Sequence, residues 1–267
     1  MLIDFHTHAF PEKIAAKAIA KLGRDSGLFP HTDGTAASLR ALMRRDGVDM
    51  SDVLPIATNP ASQAHTNDHA LESAGDGLIV FGSVHPDAPD VLEELERLKS
   101  LGVKGIKFHP DYQGFFADDE KMRPIYRKIS ELGLITVFHT GADYGFRPPY
   151  HCPAERLARA VKWFDAPVVA AHWGGVDDAA EAIRCLPHAD IMNIDTSFGY
   201  GTNIRQFAMD LIEHFGPEHV LFGSDAPWHP PVWELRLFET LPLSGDVRDM
   251  IFCQNALRLL GIAGPED

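Results

Sequence analysis

Cysteine is scarce in this sequence. Only Cys152, Cys185 and Cys253 occur in 267 residues, far apart and without a C-x-x-C pair. An odd, scattered set argues against a disulfide framework and sets an expectation of reduced, mostly buried thiols in a cytoplasmic protein. Long apolar runs are also missing. No stretch approaches the ~20 residues a membrane span needs, and the apolar start reads as a strand rather than a leader. Basic residues are in deficit, 24 Lys and Arg against 38 Asp and Glu, for a net charge of −14. Such a field repels polyanions, so nucleic acid and anionic membrane surfaces are poor partners. Low-complexity tracts, repeats and dividing linkers are absent, which favours one domain over residues 1–267. An apolar content of 45% with 23% charged residues suffices for a substantial core.

Histidine, by contrast, is abundant at fourteen residues, and most of them fall where strands end. Short apolar runs at Leu2–Thr7, Val48–Ala57, Leu78–Val84, Val103–Phe108, Leu134–His139, Val168–His172, Asp190–Thr196 and Val220–Ser224 read as strands. Amphipathic stretches alternate with them at Ile14–Leu22, Ala36–Arg45, Val91–Leu101, Glu120–Leu132, Ala154–Trp163, Ala179–Cys185, Ile204–Phe215 and Val247–Leu260. Gly102, Gly133 and Gly216 each stop a helix just before a strand, and Gly261 caps the last one. Eight β–α units with continuously apolar strands predict a parallel sheet covered on both faces, hence an α/β fold of the (β/α)8 TIM-barrel type. A doubly wound open sheet is the alternative.

Active sites of such barrels lie at the C-terminal ends of the strands. Strand one ends in His6 and His8, strand four in Lys107 and His109, strand five in His139, strand six in His172 and strand eight in Asp225. Residues two apart on a strand share a face, so His6 and His8 can reach one cation. By the same parity Lys107, His109, Gly223 and Asp225 point inward with them. Ile3, Phe5, Ile106, Phe108, Phe222 and Ser224 are then left for the helix layer. Each polar residue taken alone has a structural account: a core histidine bonded to a carbonyl, a loop histidine, an aspartate capping a helix. Burying three imidazoles and a carboxylate together calls for a cation.

The segments Asp4-Phe-His-Thr-His8, Gly105-Ile-Lys-Phe-His-Pro110, Phe138-His-Thr-Gly141, Ala171-His-Trp-Gly-Gly175, Gly223-Ser-Asp-Ala-Pro227 and Asn255-Ala-Leu-Arg-Leu-Leu-Gly261 span the chain in order. With them the sequence resembles the amidohydrolase superfamily of metal-dependent barrels, in its amidohydrolase 2 branch of aminocarboxymuconate-semialdehyde decarboxylase and its relatives. The resemblance implies that His6, His8, His139 and Asp225 bind one divalent ion, zinc first and manganese second. It implies that Asp225 is catalytic and that His172 is a catalytic histidine beside the metal-bound water or a ligand of a second metal. Lys107, with His109 in the terminal position of strand four, reads as a cation for a substrate carboxylate or as half of an ion pair, ahead of the bridging lysine of binuclear relatives. His109, Tyr144, Arg147, His151, Trp173 and Trp228 are candidates for substrate contact, and Asp195 for an outer carboxylate.

The reaction this implies is hydrolysis of a small amide, ester or lactone by metal-activated water. Non-oxidative decarboxylation of an aromatic or unsaturated acid is the alternative, ranked second because the chain is short. A nuclease on a similar barrel is disfavoured by the acidic charge and by the lack of an acidic residue ending strand three or four. A small-molecule substrate is the expected partner, and self-association is left open because relatives are often dimers or tetramers.

Overall fold

The computed structural model of the protein describes residues 1–264. Eight short parallel strands, β1 Ile3–Thr7, β2 Met50–Val53, β3 Leu78–Val80, β4 Gly105–Phe108, β5 Ile135–Phe138, β6 Val168–Ala170, β7 Met192–Asp195 and β8 Val220–Leu221, follow one another around a ring. The ladders run β1-β2-β3 and β4-β5-β6-β7-β8. Parallel bridges Gly82↔Ile106 and Thr7↔Ala226 join the two arcs. The second seam is reinforced by Phe5 N–H donating to Phe222 O (2.8 Å) and Asp225 N–H donating to His6 O (2.9 Å). The sheet is closed, as the (β/α)8 reading requires, and the open-sheet alternative is set aside.

Two apolar layers follow from strand parity. Ile106, Phe108, Phe138, Val168, Ala170, Ile194 and Phe222 pack outward against the helices. Ile135, Val137, Val169, Ala171 and Leu221 pack inward, together with Phe81 and with Leu257 and Leu260 of the last helix. Gly105 makes room for this interior: a Cβ there would lie 2.3 Å from Phe81 Cε2.

Strand β1 breaks the expected parity. Ile3 and Phe5 belong to the interior layer, with Phe5 set edge-on to Phe81 at 5.7 Å, and do not face the helices. His6 nevertheless also points inward, because its Cβ lies 3.1 Å from where a side chain on Gly223 would begin. The register explains how both can be true. Asp4 pairs with Ser51 and Thr7 with Val53, so three steps on β1 match two on β2. One extra residue bulges, and two consecutive side chains share a face.

The helices largely follow the expected spans, with instructive exceptions. The stretch Val247–Leu260 is divided into Gly245–Asp249, a π-turn Met250–Gln254 and Asn255–Leu260. At that turn the Ile251 carbonyl accepts from Phe222 N–H (3.0 Å), a strand-to-helix bond at a π-bulge. Strand β8 is correspondingly short. Gly223 N–H goes to Thr196 Oγ1 (3.2 Å) and Ser224 N–H to Asp4 Oδ1 (2.9 Å), so side chains replace the ladder. Helices Gln63–Leu71 and Pro231–Glu239 were not expected from periodicity. Among the described residues no helix is long and apolar enough to cross a membrane. All three cysteines are free, and of the expected buried thiols only Cys152 is fully buried.

Candidate metal centre

At the C-terminal mouth of the barrel, three donor atoms converge. His8 Nε2 lies 3.2 Å and His6 Nε2 3.5 Å from Asp225 Oδ1. The other nitrogen of each ring is fixed by a group that can only accept. His6 Nδ1 faces Asp195 Oδ2 at 2.8 Å, and His8 Nδ1 faces the Leu54 carbonyl at 2.9 Å. A neutral imidazole whose Nδ1 carries the proton has a bare lone pair at Nε2. Two acceptor nitrogens and a carboxylate oxygen therefore confront one another in a buried pocket, with Lys107 Nζ the donor nearest His6 Nε2 (3.2 Å), and a divalent ion would satisfy all three. The donor set fits a divalent ion, since three protein ligands and an open position are the usual pattern of a catalytic zinc site.

Burial keeps His6 in the form that binds metal. Desolvation first, then the nearby Lys107 cation, hold His6 well below the ordinary histidine range. His109 and His139 are lowered by burial as well, and so is His172. Lys107 is fully buried, with Nζ 3.2 Å from His6 Nε2, and desolvation pushes it down to about 8 against the pull of Asp195 and Asp225. No carboxylate lies in ion-pair contact with it among the described residues, so it stands as a cation facing the ligand cluster.

His139, expected as the fourth ligand, is turned elsewhere. Its Nδ1 meets His172 Nε2 at 2.9 Å, its Nε2 faces the Ala142 carbonyl at 3.1 Å, and its ring stacks on His109 at 4.1 Å. His109 in turn meets Asp143 Oδ2 at 3.0 Å. The structure thus brings together three of the four expected ligands, and joins the fourth to the expected catalytic histidine. The backbone supports this crowding with strain. His172 and Asp225 hold φ of 62° and 77°, a left-handed region that costs a non-glycine residue of order 1–3 kcal/mol.

Residues behind the ligands were less legible. Asp195, expected as an outer carboxylate, touches more than His6. Its Oδ1 accepts from His172 N–H (3.0 Å), Ser197 N–H (3.1 Å) and Ser197 Oγ (2.5 Å). Ser197 Oγ also reaches His172 Nδ1 at 2.8 Å. Asp4 ties the two ligand-bearing strands together, taking His6 N–H (3.2 Å) and Ser224 N–H (2.9 Å) on Oδ1 and Ser224 Oγ–H (2.6 Å) on Oδ2. Its position beside the histidine pair was visible in the sequence, but its partner Ser224, 220 residues away, was not.

The expected substrate contacts divide. Trp228 packs at the rim with Ala142, Val176, Phe198, Leu28 and Tyr150, an apolar patch built from the loops after five different strands. Trp173 does not. It is fully buried against Phe238 in the barrel–helix layer, because φ of 58° at Trp173 follows 62° at His172 and swings the side chain away from the mouth. Tyr144 is exposed and donates to Asp177 (3.2 Å), and Arg147 is exposed. His151 is tied to the Pro110 carbonyl (3.1 Å).

A closed barrel with histidines and an aspartate gathered at its mouth defines a (β/α)8 scaffold with a candidate metal site. A sequence model of the amidohydrolase family (Amidohydro_2) matches residues 3–262, and the chain belongs to that family. Solved structures of similar fold include 2,6-dihydroxybenzoate decarboxylase from Rhizobium (17% identity, 97% of this chain and 98% of that one, TM-score 0.69). They also include a putative 2-pyrone-4,6-dicarboxylic acid hydrolase from Pseudomonas putida (18%, 97% and 97%, 0.68). A third is the 5-carboxyvanillate decarboxylase of Novosphingobium aromaticivorans, complexed with manganese (18%, 98% and 96%, 0.71). No curated protein matches the chain.

Proposed function

We propose that this chain is a metal-dependent hydrolase of a small amide, ester or lactone, with His6, His8 and Asp225 holding one divalent ion. The observation that carries the reading is the convergence of His6 Nε2, His8 Nε2 and Asp225 Oδ1, with each ring's Nδ1 committed to an acceptor. A divalent ion supplies Lewis acidity, which polarises a carbonyl and acidifies water from 15.7 to roughly 7. Asp225 accepts the proton of the attacking water and returns it to the leaving group. His172, held by Ser197 and by the Asp195 carboxylate at its backbone, would donate its Nε2–H, which rests on His139 Nδ1 in the free chain, to the oxygen that gains charge. Lys107 offers its cation to the same side of the cluster. The patch around Phe198 and Trp228 receives the apolar body of the substrate and keeps water out. Zinc suits a site of two imidazoles and one carboxylate, with manganese the alternative, and a cytoplasmic location follows from the cysteine usage.

That apolar patch favours a second reading, decarboxylation of an aromatic acid, in which His172 or Asp225 protonates the carbon that loses carbon dioxide. The test begins with metal content by mass spectrometry for the wild-type chain, Asp225→Ala and His8→Ala. About one equivalent, lost in both variants, supports the site. The loaded enzyme is then assayed on a panel of lactones and esters beside one of hydroxybenzoates. Acid release on the first panel supports hydrolysis, carbon dioxide release on the second supports the alternative, and a wild-type chain that takes up no zinc or manganese overturns both.

A further inference from the structure

Outside the candidate metal centre, helix Gln63–Leu71 carries two imidazoles that the reaction does not use. Its inner side docks through Gln63 and Asn67, one turn apart and both buried. Asn67 exchanges hydrogen bonds with Ser83 N–H (2.9 Å) and Glu94 (2.7 Å), and Gln63 takes His85 N–H (3.0 Å). His65 and His69, also one turn apart, stand on the solvent side. Their rings lie 4.1 Å apart with Nε2 facing Nε2 at 3.1 Å.

We propose that His65 and His69 form a surface clamp for a divalent transition ion such as nickel, copper or zinc, separate from the barrel centre. Two metal–nitrogen bonds of about 2.1 Å place their nitrogens about 3.0 Å apart at a right angle and about 3.4 Å apart at a tetrahedral one. The observed 3.1 Å falls within that bite. Paired histidines at i and i+4 on one helix face are a recurrent way to present two nitrogens to one metal. A second contact prepares the site: His69 Nδ1 lies 3.2 Å from Glu72 Oε2. A carboxylate there fixes the proton on Nδ1 and leaves Nε2 bare, the arrangement by which outer carboxylates orient metal-bound histidines. Borderline ions are the class favoured by imidazole, whereas calcium and magnesium prefer oxygen cages. Solvent completes the coordination, so the ion is exchangeable.

The test uses the untagged full chain, stripped by chelator and titrated with Ni²⁺ by calorimetry, beside His65→Ala, His69→Ala and the double variant. Alanine on an exposed helix face preserves the helix. We expect a weak, labile class of binding in the wild-type chain. Loss of either histidine should weaken it by at least about tenfold, the scale on which even an outer partner of a ligand acts. Tight uptake at the barrel should persist in all three variants. Retention on an immobilised Ni²⁺ column gives an independent readout, because the buried barrel ligands cannot reach a resin-bound ion. Wild-type retention and earlier elution of the variants are expected. A wild-type chain without a labile class, or a labile class and retention unchanged in the double variant, would overturn the clamp.

Discussion

Replacing Asp195 separates two duties that one buried carboxylate performs. Asp195→Ala removes the acceptor of His172 N–H and Ser197 N–H, both buried. An unsatisfied buried donor costs about 1–3 kcal/mol, so the variant should lose about 2–6 kcal/mol of stability. It also frees His6 Nδ1, held at 2.8 Å in the wild-type chain. Asp195→Asn behaves differently. Its amide oxygen can still accept from the two backbone groups, but its N–H₂ would oppose the proton on His6 Nδ1. The ring escapes by moving that proton to Nε2, the atom offered to the metal. Metal affinity should then fall by about 10–100-fold, or about 1.4–2.7 kcal/mol, with stability of the metal-free chain little changed. Chelator competition reads the first quantity and urea unfolding of stripped protein the second. An Asn variant that holds metal as tightly as the wild-type chain would refute the argument that His6 binds through an Nε2 prepared by Asp195.

Other substitutions probe the scaffold. In Gly105→Ala the new Cβ meets Phe81 Cε2 at 2.3 Å and the Ile135 carbonyl at 2.7 Å. Overpacking of this kind costs typically ~1–3 kcal/mol, seen as a lower urea midpoint at unchanged slope. Asp4→Ala cuts the tie between His6 and Ser224 and should lower metal affinity more than Asp4→Asn, whose amide can still bridge the two strands; equal losses would count against that role. Burial holds Asp52 and Glu234 far above the carboxylate range. The folded chain therefore keeps protons that the unfolded chain has released. Their contribution to stability is greatest below the unfolded values and is lost as pH rises towards and through the folded ones. Asp52→Asn and Glu234→Gln should flatten the decline in unfolding free energy between acid and alkaline pH, and a slope unchanged in both would contradict it.

Much of the fold was legible because parallel strands buried on both faces leave apolar runs, and amphipathic helices leave a period. Where the protein packs through polar groups, the signal vanishes. Helix Gln63–Leu71 docks through Gln63 and Asn67, whose hydrogen bonds to Ser83, Glu94 and His85 replace an apolar stripe. Helix Pro231–Glu239 begins on the second of two consecutive prolines, which suits a first helical turn but leaves no apolar period to announce it. The candidate ligands were visible for the opposite reason: polar residues closing apolar strands stand out. Their supporting atoms were not, since the Leu54 carbonyl and Ser197 Oγ have no special residue type and act through position alone.

The bulge in β1 shows what strict alternation cannot anticipate. A regular strand that turned His6 and His8 inward would turn Ile3 and Phe5 outward, and the barrel interior would lose two of its apolar side chains. The extra residue between Asp4 and Thr7 keeps Phe5 on Phe81 below while His6 enters the site above. The shift also leaves Asp4 free to take both His6 N–H and Ser224 N–H across the closing seam. The same irregularity therefore serves the core, aims a ligand and fastens the strand that carries Asp225. A substitution that restored regular pairing would have to give up one of these three, which makes the bulge a requirement of placing a histidine pair on the first strand of this barrel.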